Sequence, residues 1–242
     1  MFYVVHLQKV LFYLVLTFAI IGCMLYISSR TFVRSVSNLS SQPVVEYVID
    51  AGHGGEDGGA IAQDGTVESA LNLEIAQKVD ALLGFTGHSA KMTRETEAAI
   101  YDEGCRSLRE KKRSDLRNRV AFIENTNPKL VISIHQNSFP DAPQVHGVQT
   151  FYNHINPADE YALSMQAALN LLQTSRKDSK KISESIYLMR EITVPAVLVE
   201  CGFLSNCDET NLLKTADHQK NLTVAMVSGI LCDRNEENYE SK

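Results

Sequence analysis

An apolar, β-branched run that stops in a histidine set among glycines, Val48-Ile49-Asp50-Ala51-Gly52-His53-Gly54-Gly55, constrains this chain more than any other stretch. A buried strand running into a glycine-rich turn delivers a side chain to the end of a sheet, where open α/β sheets place their sites. Glycine in such a turn accepts positive φ and lets the backbone pass close to a bound group. Taken alone, the stretch leaves His53 open as a metal ligand, an acid/base, or a histidine packed under a loop.

The same pattern returns twice. Leu130 to Ile134 runs into His135, and Ala196 to Val199 runs into Glu200. Val44 to Ile49, Ser89 to Arg94, Gly147 to Tyr152 and Ile186 to Met189 read as the other strands. Glu68 to Leu83 carries Leu71, Ile75, Val79, Leu82 and Leu83 at the helical period, and Gly84 and Gly87 end it. Ser114 caps a helix over Asp115 to Glu124, and Asn156 caps one over Pro157 to Gln173. Asp208 to Leu213 and His218 to Leu231 read as the last helices, with residues 95–113 as a loop with some helix and Arg176 to Ser185 as a loop. Strands alternating with helices predict an α/β fold: one domain with a mostly parallel twisted sheet of about six strands and helices on both faces.

Val10 to Ile27 is an uncharged apolar run behind Lys9, long enough as a helix to reach the thickness of the hydrocarbon layer. It predicts an N-terminal transmembrane segment over residues 1–27, either an uncleaved membrane anchor or a signal segment, and hence export to the cell-wall side. Residues 28–43 are serine-rich and read as a linker, residues 44–233 as the working domain, and 234–242 as a polar tail. A net charge of -6 gives no global field favouring nucleic acid. The local basic cluster at Arg106, Arg109, Lys111, Lys112, Arg113, Arg117 and Arg119 reads as a solvated loop and helix face, with contact to an anionic surface as the alternative. The cysteines are odd in number, 5, without a Cys-x-x-Cys pair, so they predict small buried residues and no disulfide scaffold.

In a mostly parallel sheet, His53, His135 and Glu200 lie along one edge and can converge. Glu68 opens the first helix on that side, either as a further site residue or as an acid complementing the helix dipole. Two histidines and one carboxylate make a three-ligand set for zinc with the fourth position left for water, and a second carboxylate nearby can serve as general base. His6, His88, His146, His154 and His218 lie in the tail, in loops, at strand edges or on a helix.

With these residues in view, the chain resembles the zinc-dependent N-acetylmuramoyl-L-alanine amidases of the amidase-3 family. Four motifs carry the resemblance in the family's order: Ile49 to Gly55, Glu68-Ser69-Ala70-Leu71-Asn72-Leu73, Ser133-Ile134-His135-Gln136-Asn137, and Val199-Glu200-Cys201-Gly202-Phe203-Leu204-Ser205-Asn206. Ala51 stands where the family often has proline, and Ser138 where alanine is common. The resemblance implies one catalytic zinc held by His53, Glu68 and His135, with Glu200 as the catalytic carboxylate. It implies hydrolysis of the amide between the lactyl group of muramic acid and L-alanine in peptidoglycan. Ile186-Tyr187-Leu188-Met189-Arg190 and the overall layout look most like the germination-specific branch, which acts on spore cortex and prepares muramic-δ-lactam. Asp50 is expected to hold a ligand histidine or to cap the glycine turn, and Arg94 and Asn137 to shape the site. An activator protein that stabilises the zinc site is an expected partner, with the membrane reached through the N-terminal segment. Another zinc hydrolase and a metal-free wall-binding module remain the alternatives.

Overall fold

The computed structural model describes residues 14–18, 20–22, 24 and 44–232. The chain divides into two units, Met1–Val44 and Val45–Lys242. In the first, residues 14–18, 20–22 and 24 are helical and exposed. Most of the expected anchor lies outside the described residues, as do the linker and the tail. Among the described residues no helix is long and apolar enough to cross a membrane.

The second unit is an α/β domain. Its elements are β1 (Tyr47–Ala51), α1 (Glu68–Phe85), β2 (Ala90–Met92), α2 (Leu108–Thr126), β3 (Leu130–Asn137), β4 (Gln149–Tyr152), α3 (Ala158–Leu169), β5 (Lys180–Lys181), α4 (Tyr187–Glu191), β6 (Ala196–Phe203), α5 (Cys207–Leu213) and α6 (Ala216–Cys232). Among the described residues the sheet has six strands in the order β2-β1-β3-β6-β4-β5. β2, β1, β3 and β6 run parallel, so their C-terminal ends share one edge. β4 joins β6 antiparallel, and β5 follows β4 in parallel.

Alternation along the strands decides which face each side chain enters. Tyr47, Ile49 and Ala51, with Leu130, Ile132, Ile134, Val197, Val199 and Cys201, enter a large core. There they meet apolar residues of α1, α3 and α6, such as Ile75, Met165 and Met226. Val48, Val131, Ala196 and Leu198 enter a smaller core with Ile123 of α2 and Leu188 and Met189 of α4. By the same parity Asp50, Ser133, His135 and Glu200 belong to the smaller side. The thinner layer leaves the room a site needs.

Several boundaries differ from expectation. Ile186 to Met189 is not a strand: a helical turn begins at Tyr187, and Leu188 and Met189 plug the smaller core from it. Hydrophobic runs this short do not distinguish the two states. The second helix starts at Leu108, seven residues ahead of the expected Asp115 and within the stretch expected to be a loop with some helix, because Ser107 and Glu110 form a capping box. Ser114 is therefore an interior residue, and Asn127 closes the helix in the left-handed conformation. Pro157, not Asn156, caps α3, which follows a cis Asn156-Pro157 bond. Lys180–Lys181, expected in a loop, pairs with Phe151 and Tyr152 as an edge strand. Of the four described cysteines only Cys201 is buried, while Cys207 and Cys232 are exposed.

Candidate active site

The chain leaves β1 at Gly52, whose N–H still reaches the Ile134 carbonyl of β3 at 3.1 Å, but the three successive carbonyls from Ala51 to His53 take side-chain donors. Two arginines supply them. The Ala51 carbonyl accepts from Arg94 Nε at 2.9 Å and Arg119 Nη1 at 2.7 Å. The Gly52 carbonyl accepts from Arg94 Nη2 at 3.0 Å and from Asn72 Nδ2 at 3.1 Å. The His53 carbonyl accepts from Arg119 Nη2 at 2.6 Å. Burial, reinforced by the charge of Arg119, pulls the Arg94 pKa down to about 10, so both guanidinium groups stay charged at neutral pH. Arg94 thus clamps the backbone of the glycine turn.

This clamp presents His53 in the left-handed region, at φ 61. Its ring lies between two carboxylates, with Nδ1 3.1 Å from Asp57 Oδ2 and Nε2 3.3 Å from Glu68 Oε1. His135 arrives from the adjoining β3, with Nδ1 3.0 Å from the same Glu68 oxygen. The two rings meet edge to face, 5.1 Å between centroids. Close approach requires glycine at two places. A Cβ on Gly52 would stand 2.3 Å from the His135 ring, and one on Gly59 would stand 2.4 Å from Glu68 Oε2.

Glu68 is buried at the start of α1, and its role is larger than complementing a helix dipole. Its Oε2 accepts from the Ala60 N–H at 2.8 Å, while Oε1 accepts from the Gln136 N–H at 3.1 Å and from Asn72 at 3.2 Å. Burial disfavours its charge, but the two histidines outweigh that and hold its pKa well below the usual carboxylate range. Burial likewise opposes a charged His53, yet the bonds to Asp57 and Glu68 raise its pKa to about 9.

One donor atom from each of His53, Glu68 and His135 lies within 4.8 Å of the others, so this group can hold a metal ion. Both imidazole nitrogens sit 3.0–3.3 Å from one carboxylate oxygen. Ligand atoms about a tetrahedral ion with bonds of about 2.1 Å are separated by about 3.4 Å, so both histidines stand near the distance from Glu68 that such an ion requires. Glu200 faces the same space from β6, where it pairs in register with His135. Its Oε2 is buried without a hydrogen-bond partner among the described residues. Burial, with the like charge of Glu68, lifts its pKa to about 7 against the pull of the two histidines. All four line a cavity of about 380 Å³ whose walls include Lys112 of α2 and Tyr187 of α4.

The sequence missed several residues here. Asp50 touches neither histidine and caps no turn: its carboxylate accepts from Arg119 at 2.6 Å, Thr93 at 2.8 Å and Ser133 at 2.7 Å. Strand parity turns it under the site, and Asp57 meets His53 instead. Asn137 also stands outside the cavity, its Oδ1 accepting from the Ser138 N–H at 2.8 Å. The basic cluster is only partly a solvated face. Lys111 pairs with Glu56, Lys112 with Asp57, and Arg119 is 1% exposed, bound to Asp115 one turn back at 2.7 Å. That i, i+4 acid-base spacing was the available signal.

Residues 48–232 match the family model for N-acetylmuramoyl-L-alanine amidase, Amidase_3. The chain belongs to that family. The amidase is 38% identical over 186 residues to the germination-specific N-acetylmuramoyl-L-alanine amidase of Bacillus subtilis, covering 76% of this chain and 77% of the relative. Among solved structures, the CwlD amidase from Clostridioides difficile, in complex with the GerS lipoprotein, matches at TM-score 0.73 and 35% identity, over 76% of this chain and 95% of that one. The amidase AmiC2 of Nostoc punctiforme matches at TM-score 0.66 and 26% identity, over 81% of this chain and 99% of that one. The protein is a hydrolase of peptidoglycan, an N-acetylmuramoyl-L-alanine amidase.

Proposed function

We propose that this amidase is zinc-dependent and works on spore-cortex peptidoglycan, freeing stem peptides as a step toward muramic-δ-lactam. The cortex assignment is supported by the likeness to the germination-specific enzyme of Bacillus subtilis. The observation that carries the catalytic reading is the buried, unpartnered Glu200 Oε2 facing three convergent metal-type donors. His53, Glu68 and His135 hold the metal. A zinc ion there supplies Lewis-acid activation of water and of the amide carbonyl.

Glu200 is the acid/base. A carboxylate with a pKa near neutrality can take a proton from attacking water and return it to the leaving L-alanine amine. Its burial keeps competing hydrogen bonds away from the oxygen that must move the proton. Arg94, Arg119 and Asn72 keep the His53 loop in place during turnover by holding its carbonyls. The enzyme acts outside the cytoplasm, residues 1–27 serve as membrane anchor or signal, and residues 44–233 form the catalytic domain. An accessory protein assists it, in keeping with the lipoprotein bound to the Clostridioides relative.

The test is Glu200→Gln assayed on cortex peptidoglycan. The variant is expected to bind zinc as the parent does while release of peptides with a new L-alanine amino terminus falls roughly 10²–10⁴-fold, the range for a lost acid/base. Undiminished release would sink the assignment. Chelation should abolish activity in the parent, and added zinc should restore it.

A further inference from the structure

We propose that Asp57, clamped by Lys112, is a positioning residue that fixes the His53 ring with Nε2 toward the metal. The proposal rests on the reading of His53 as a ligand. One atom, Asp57 Oδ2, lies 3.1 Å from His53 Nδ1 and 3.0 Å from Lys112 Nζ. Accepting the proton on Nδ1 selects the tautomer whose Nε2 lone pair is free, and Nε2 is the nitrogen that faces Glu68 at 3.3 Å. Asp57 is itself fixed by reciprocal backbone bonds with Gly54, 2.9 Å from the Gly54 N–H and 3.1 Å from its own.

Lys112 does a second job. It holds the shared oxygen toward α2, so Asp57 remains an outer acceptor for His53 instead of swinging in as a competing ligand. The neighbouring Lys111–Glu56 pair joins the same helix to the same loop without touching either histidine. It is therefore the natural control, because a loop clasp alone would make the two lysines equivalent.

The experiment measures zinc affinity of the purified full chain by competition with a chelating dye, together with the cobalt(II) spectrum. Asp57→Ala should weaken zinc binding roughly 10–100-fold, the range seen when a histidine's outer partner is removed. The cobalt bands should shift, while the metal-free protein remains folded and unfolds in one cooperative transition. Asp57→Asn, which retains an acceptor, should lose less. Lys112→Met should lose affinity in the same direction and Lys111→Met should not. Parent-like zinc affinity in Asp57→Ala, with His53→Ala binding none, would overturn the positioning role alone. Equal losses in the two lysine variants would reduce the pair to a loop clasp. Retained affinity in His53→Ala would overturn the metal-site reading beneath it.

Discussion

His53 and His135 meet at one point but are held by opposite means. His135 stands inside β3, paired with Glu200 of β6 and next to the last residue that β1 pairs, so sheet register fixes its Cα, and the ring takes the space over Gly52 with one bond to Glu68. His53 stands on an unpaired loop in a backbone conformation few side chains adopt, and polar groups from α1, α2 and the segment after β2 must hold it. A ligand on a strand draws precision from the ladder and depends on shape. A ligand on a loop draws it from charge and hydrogen bonds, and depends on partners distant in sequence.

Three experiments separate the two. Arg119→Leu should have the largest effect, because it leaves Asp50 and Asp115 buried without their cation and frees the His53 carbonyl. Removing one member of such a buried ionic group costs about 3–5 kcal/mol, readable by denaturant titration. A loss below about 1 kcal/mol would mean that the loop does not rely on charge. Gly52→Ala attacks the strand side. The new Cβ overlaps the His135 ring, and a loss of about 3 kcal/mol is expected, the upper end for overpacking, together with weakened zinc binding. Parent-like stability in this variant would mean that His135 is not held by shape.

Acid supplies the smallest effect. Burial disfavours the Asp50 carboxylate, but the Arg119 charge prevails and brings its pKa from 3.8 to about 2. A depressed folded pKa stabilises above the unfolded value and ceases to do so as pH falls through the folded one. The parent should thus lose about 2 kcal/mol between about pH 4 and pH 2. Arg119→Leu should lose the part of the slope that Asp50 contributes and keep the part from Glu68, whose pKa is lowered by the histidines, and an undiminished slope in the variant would assign all of it to other carboxylates.

The helical period of Leu71, Ile75 and Val79 and the β-branched runs ahead of His53, His135 and Glu200 were legible because they are local. So was the order of the four motifs. The α4 turn was not, since Ile186 to Met189 is too short for its period to show, and only packing into the smaller core decides its state. Nor was the Ser107 cap, which lay in a polar stretch without apolar rhythm.

By itself the sequence determined which apolar runs lead into His53, His135 and Glu200 and which face each residue takes, because backbone periodicity is written in neighbours, although β3 and β6 continue past His135 and Glu200 to Asn137 and Phe203. Only the tertiary structure decided that Asp57, and not Asp50, serves His53, that Arg119 is buried, and that Lys112 borders the cavity. Pairing among charged groups depends on distances across the fold and on which side of the sheet each one enters. Spacing along the chain contains neither.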